Sequence, residues 1–155
     1  MTGGRAPLSQ ISKTAALAFG AAVCLAADAA HADPCRAPLP RHDTRFEGLV
    51  RYIGDGDSLC VGPTADPATW IEIRLADFYA PELHDPGGRE AREALVRIAQ
   101  GRRLECIADH RSYDRIVADC TLGGVAVGQL LRRAGIAEGG RGYPPRARGN
   151  RPDGG

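Results

Sequence analysis

The sequence predicts an α+β fold in which five short strands curl into a small barrel and two helices pack on it. Five runs between Phe46 and Leu122 are rich in β-branched and aromatic side chains or alternate apolar with polar. Two other windows repeat apolar residues at three- and four-residue spacing. Glycines and Asp-Gly pairs punctuate these runs at close intervals, as a chain of short elements requires.

Residues 33–45 are Pro-rich and irregular, an N-terminal arm leading into the domain. Phe46 to Ile53 and Ser58 to Val61 have strand composition. The intervening Gly54-Asp55-Gly56-Asp57 contains an Asp-Gly pair, a strong hairpin signal between two such runs. After a loop through Pro63 to Pro67, Trp70 to Phe78 alternates, with Ile71, Ile73 and Leu75 on one face and Glu72 and Arg74 on the other. Asp85-Pro86 then supplies a capping residue and a first-turn proline. Ala91, Ala94, Leu95 and Ile98 mark one helical face, Glu93 and Arg97 form a supportive pair, and Gly101 ends the helix. Arg103 to Ala108 and Ile116 to Leu122 form another strand pair. Val127, Leu130, Leu131 and Ala134 repeat the helical spacing up to Gly135. The order β-β-β-α-β-β-α in so few residues suits a small closed barrel of the oligonucleotide-binding (OB) type.

Residues 1–32 read as a secretory leader. Arg5 and Lys13 precede the apolar run Thr14 to Ala27, and Ala30-His31-Ala32 places small residues where a signal peptidase reads, so cleavage is expected before Asp33. The run falls short of the roughly 18 apolar residues of a spanning helix, and the mature chain holds no other such run. The expected product is one exported domain, periplasmic or secreted, acting as a monomer. Beyond residue 32 the chain has 18 arginines, no lysine, and 18 acidic residues. Overall charge therefore does not announce a nucleic-acid binder, and affinity for phosphates must come from local placement. Four cysteines survive cleavage: Cys35, Cys60, Cys106 and Cys120. An even count in a small exported domain favours disulfides, and the absence of C-x-x-C argues against zinc. Three pairings are possible. Cys106 with Cys120, on successive strands, is the pair to join first, which leaves Cys35 with Cys60 to tether the arm.

Three segments carry chemistry: Asp55-Gly56-Asp57-Ser58, Arg74-Leu75-Ala76-Asp77-Phe78-Tyr79-Ala80-Pro81-Glu82, and Tyr113-Asp114-Arg115. Together they resemble the staphylococcal nuclease (thermonuclease) family, whose pattern is an Asp-Gly-Asp-Thr turn, an Arg-Leu strand running into Asp-x-Pro-Glu, and a Tyr-Gly-Arg loop. Val127 to Ala137 resembles the family's helix after the fifth strand. The resemblance spans residues 46–143, with 144–155 left as an Arg/Gly/Pro-rich tail expected to be disordered. It implies hydrolysis of DNA or RNA phosphodiesters with little sequence preference. In that chemistry cationic donors meet the charge growing on phosphate oxygens while a carboxylate orients or deprotonates water. By resemblance, Arg74 and Arg115 are the phosphate clamps, Glu82 the base or water-positioning group, Tyr113 a substrate contact, and Asp57 a ligand for Ca²⁺, a cation suited to oxygen donors.

The pattern has departures. The family's second metal-ligating aspartate falls at Tyr79, and a phenol with a pKa of about 10 replaces a carboxylate poorly at neutral pH. Asp77 is a nearby carboxylate, but a regular strand would displace it by roughly 6–7 Å. The loop glycine before the second arginine is Asp114. Two other readings stay open: an OB-type module that binds oligonucleotides after losing metal-dependent cleavage, and a disulfide-stapled envelope protein with another partner.

Overall fold

In the computed structural model, which describes Met1, Gly3 and residues 33–139, the strands follow the apolar runs. Nearly all of the leader, and the stretch from residue 140 that contains the tail, lie outside the described residues. The elements are β1 (Arg45–Ile53), β2 (Ser58–Gly62), β3 (Ile71–Leu75), α1 (Gly88–Ala99), β4 (Arg103–Ser112), β5 (Arg115–Leu122), β6 (Val125–Ala126) and α2 (Val127–Arg133). They form a six-stranded sheet with two helices, an α+β arrangement consistent with an OB-like fold. The order is β3-β2-β1-β4-β5-β6, and β3 also pairs in parallel with β5, so the circuit of pairings through β1 to β5 returns to its start. Register shifts at Val50/Tyr52 in β1 and Ala108/Arg111 in β4 supply the local bends that such curvature needs.

The inward face is the one that alternation predicts. Val50, Ile53, Leu59, Val61, Ile73, Leu75, Leu104 and Ile116 are each at most 2% exposed, and they meet Ala91, Ala94, Leu95 and Ala99 of α1 and Val127 and Leu131 of α2. Burial of each large aliphatic side chain contributes about 1.5–3 kcal/mol, so the inner rows and the two helices dominate the stability of the domain. Gly101 (φ 73°) and Gly135 (φ 81°) end the helices, as their positions suggest.

Four elements differ from expectation, the first being β4, which continues past Ala108 to Ser112. The sixth strand is a two-residue pairing with the end of β5, formed where Gly123-Gly124 turns the chain before α2. β3 stops at Leu75, short of Phe78: Ala76 N–H still bonds Ala118 C=O, but beyond it Asp77 lies against Gly128 of α2 and Ala80 N–H bonds Asp57 Oδ2. Helix α1 starts at Gly88 rather than at Asp85-Pro86. Its preceding residue, Gly87, is left-handed (φ 88°), and Asp85 instead closes a turn, donating its N–H to Glu82 C=O and accepting from Gly88 N–H.

Both disulfides form as the strand assignment suggested. Cys106 and Cys120 are register partners on β4 and β5, and Cys35 joins Cys60 of β2. The second bridge, with backbone bonds from Arg36 N–H to Pro67 C=O and Ala37 N–H to Trp70 C=O, lays the arm against β2 and the loop after it. Opening a loop of the size closed by Cys106–Cys120 costs about 3 kcal/mol. The paired substitution C106A/C120A is therefore expected to lower the melting temperature by roughly 10 °C or more in a thermal scan. An unchanged midpoint would show that this bridge does not constrain the unfolded chain.

Candidate functional site

The site is built on one face of neighbouring strands. Ser58 stands opposite Arg74 and Cys60 opposite Glu72 in the β2–β3 ladder. Residues opposite one another share a face, and the intervening Leu59 and Ile73 point into the core. Ile116 of β5 is buried beside Ile73, which turns its neighbour Arg115 to the same side as Glu72 and Arg74. Arg115 Nη1 donates to Ser58 Oγ at 2.6 Å, and its buried Nε has no hydrogen-bond partner among the described residues. Both guanidinium groups are thereby anchored at the start of β2.

Asp57 is the hub. Its side chain is 4% exposed, and Oδ2 accepts from Arg74 Nη2 at 3.2 Å and from Ala80 N–H at 2.9 Å. Its own N–H donates to Asp55 Oδ1 at 2.9 Å, closing the turn. Burial, and after it the Asp55 carboxylate, push Asp57 up to about 6, while Arg74 and the Ala80 N–H pull it down. Gly56 is required by closeness: a Cβ there would lie 2.6 Å from the Cβ atoms of both Ala80 and Ala91. The turn, the chain after β3 and helix α1 thus converge on two residues.

Glu82 follows from that convergence. Ala80 and Pro81 are buried, Glu82 is exposed, and its carbonyl sits 1.9 Å from where a Cβ on Gly88 would stand. The backbone beneath Glu82 is therefore pinned at Ala80 and at the start of α1, while its carboxylate faces solvent. Tyr113 lies in the two-residue turn joining β4 to β5. It is 91% exposed and adopts φ 58°, a conformation uncommon for a bulky residue. An exposed ring held in such a turn beside Arg115 is a candidate contact surface.

Two side chains were not singled out by sequence reasoning. Burial and the carboxyl of Asp33 push Glu72 up to about 7, with Asp114 adding to the shift and Arg115 opposing it. Its place on the Arg74 face was visible from alternation, but its acidic company depends on the arm and on the β4–β5 turn. Ser58, 1% exposed, proves to be the anchor of Arg115.

The oxygen donors around Asp57 do not suit calcium, which takes six to eight oxygens. Oδ2 of Asp57 already serves two N–H donors, and the Tyr79 ring lies under the Arg74 guanidinium, 5.0 Å from Cζ to centroid. The Asp77 carboxylate packs against the first turn of α2, where a Cβ on Gly128 would be 2.5 Å from Oδ2, and Arg132 Nη2 stands 3.7 Å away. Burial raises the pKa of Asp77, and the Arg132 charge opposes the rise. Among the described residues, no group of three or more His, Cys, Asp and Glu side chains converges as a metal site.

The chain is 34% identical over 113 residues to a probable staphylococcal-like nuclease of Oryza sativa subsp. japonica. The similarity is to a nuclease. It covers 70% of this chain but 34% of that protein's own length, so the chain spans about a third of the relative it matches. No family model matches the chain.

The hub makes a pH-dependent contribution of defined sign. Because the folded state holds a proton on Asp57 up to about pH 6 and the unfolded chain only to about 3.8, the stability from this group is fully present below about pH 4. It declines as pH rises to about 6, by about 3 kcal/mol at most. Urea denaturation at pH 4, 5, 6 and 7 is expected to show that decline in wild type minus Asp57→Asn. Parallel curves for the two proteins would exclude the raised pKa.

Proposed function

We propose that the chain is an exported member of the staphylococcal nuclease-like family, a monomeric five-stranded OB barrel that hydrolyses phosphodiester bonds of DNA or RNA with little sequence preference. The observation that carries this reading is the joint anchoring of Arg74 and Arg115 at Asp57 and Ser58, with the chain two residues before the solvent-facing Glu82 bonded to the same Asp57. Similarity to a staphylococcal-like nuclease over 70% of the chain supports it. The leader pattern in residues 1–32, the two disulfides, and the absence of a helix able to cross a membrane among the described residues fit export.

In this mechanism Arg115 offers the phosphate the N–H groups that Ser58 does not engage. Arg74 contributes the donors not used by Asp57. Both meet the negative charge that grows on the non-bridging oxygens, with little reorganisation because each is already held. Glu82 orients the attacking water and accepts its proton as the new P–O bond forms, while the opposite ester P–O bond breaks and the departing sugar oxygen takes a proton from solvent. Tyr113 offers its ring and hydroxyl to the strand. No step is assigned to a metal ion, since the donors near Asp57 do not match one.

A noncatalytic oligonucleotide-binding module is the second reading. It is favoured by Tyr79 in the second ligand position and by the full engagement of Asp57 Oδ2. Cleavage assays separate the two. Glu82→Gln and Arg115→Ala are each expected to lower the rate on single-stranded DNA and RNA by about 10²-fold or more. Rates within about twofold of wild type would move the active site elsewhere, and an inactive wild type that still binds would favour the module. Calorimetric titration of wild type with Ca²⁺ is expected to show no saturation below about 1 mM. Tyr79→Asp is expected to introduce measurable binding. Tight binding by wild type would overturn the argument from donor set.

A further inference from the structure

A cavity of about 380 Å³ lies where β1, α1 and the loop after Glu82 meet. Its walls include Tyr52 from β1, Leu83 and His84 from the loop, and Arg89, Arg92 and Glu93 from α1. The cavity adjoins the candidate site through the chain itself. Gly54, also in its wall, immediately precedes the Asp55-Gly56-Asp57 turn, and Leu83-His84 immediately follow Glu82.

The cations here differ in their employment. Arg92 Nε donates to the carbonyls of Ile53 and Gly54 at 3.2 and 3.1 Å, which ties α1 to the end of β1. Arg89 and His84 are exposed, and among the described residues neither side chain has a hydrogen-bond or ion-pair partner. Glu93, an acid in the wall, lies 4.0 Å from Arg97 one turn along the helix. The lining thus carries two arginines and a histidine against Glu93, which has its own partner nearby, and Asp33 of the arm, whose carboxyl bonds Tyr52 and stands against Gly54. Tyr52, His84 and Leu83 add flat or apolar surface. A cationic wall interleaved with rings suits a single strand, whose phosphates pair with guanidinium while an unstacked base lies on a ring.

We propose that this cavity is a second contact for the substrate strand, in which Arg89 takes a phosphate flanking the one held by Arg74 and Arg115, and a neighbouring base rests against Tyr52 and His84. The inference rests on the nucleic-acid reading above, and it extends that reading from one phosphate to a strand several nucleotides long. Arg92 serves as a positioning residue that keeps the helix, and with it Arg89, against the turn.

The test is binding of a dye-labelled twelve-residue oligothymidylate to the full chain carrying Glu82→Gln, which protects the strand from cleavage, over a series of salt concentrations. Adding Arg89→Ala is expected to weaken binding about three- to tenfold at low salt and to reduce the slope of log affinity against log salt by about 0.7, the loss of one phosphate contact on a single strand. Arg89→Lys should recover most of the slope. Arg133→Ala, which removes an exposed charge from α2, should leave it unchanged. An unaltered slope in the Arg89→Ala protein, with oligonucleotide binding and wild-type cleavage intact, overturns the second contact while the nuclease reading stands. An equal loss in the Arg133→Ala protein overturns it too, because the effect would then be general charge. If the wild-type chain neither binds nor cuts any oligonucleotide, the nucleic-acid reading itself falls and takes this inference with it.

Discussion

One buried carboxylate joins the segments to which the proposed chemistry is assigned. Asp57 sits in a tight turn, yet its Oδ2 receives the guanidinium of β3 and the backbone of the chain that leads to Glu82. Taking a charge out of water is costly unless donors replace the solvent, and here two N–H groups do so incompletely, which is why the group binds its proton up to about pH 6. The same arrangement fixes Arg74 without removing all its donors and sets Ala80 at a defined height above the turn. Gly56 makes the approach possible, since any side chain there would collide with Ala80 and Ala91. A site of this kind is rigid because separate segments share one anchor, so a defect at the turn is transmitted both to the arginine and to the glutamate loop.

How much of this was legible in the sequence depends on the range of the interactions involved. The alternation of β3, the helical faces of α1 and α2, and the pairing of Cys106 with Cys120 are local or nearest-strand features, and residue type decides them, whereas the chain turns at Asp55-Gly56 without the positive φ that such a pair favours, and Gly56 is needed there for its approach to Ala80 and Ala91. The start of α1 was misplaced because capping preference favours Asp85, whereas the chain spends that residue on a turn closed with Glu82 and Gly88 and enters the helix through a left-handed Gly87. Regular alternation would have carried β3 through Asp77. Instead the strand ends two residues earlier, and the Asp77 carboxylate is taken up by the N-terminal turn of α2 and Arg132, partners some fifty residues distant that no local pattern announces.

The candidate site was legible as a set of residue types and much less as a set of contacts. Motif order singles out Arg74, Glu82, Arg115 and Asp57 as a set, and the fold gives each a definite place. It could not show that Ser58 holds Arg115, or that Tyr79 lies under Arg74 as a ring. In each case the partner is supplied by sheet register or by a turn conformation, both properties of the assembled fold.

The arm shows why zero net charge does not describe the surface that a substrate meets. Cys35–Cys60 lays residues 33–37 along β2 and brings Asp33 to Glu72 and Tyr52. Glu72 in turn lies on the same face as Arg115 and shares the neighbourhood of Asp114. With a pKa of about 7, Glu72 is only partly ionised at neutral pH, so the acidic charge opposing Arg115 is smaller than a count of carboxylates suggests. Protonation of Glu72 leaves Arg115 with more of its attraction for phosphate, whereas ionisation sets a fixed anion against the same guanidinium. The disulfide-held arm thus places an acid in the neighbourhood of Arg115, and the balanced composition conceals a local field that changes with the proton on Glu72.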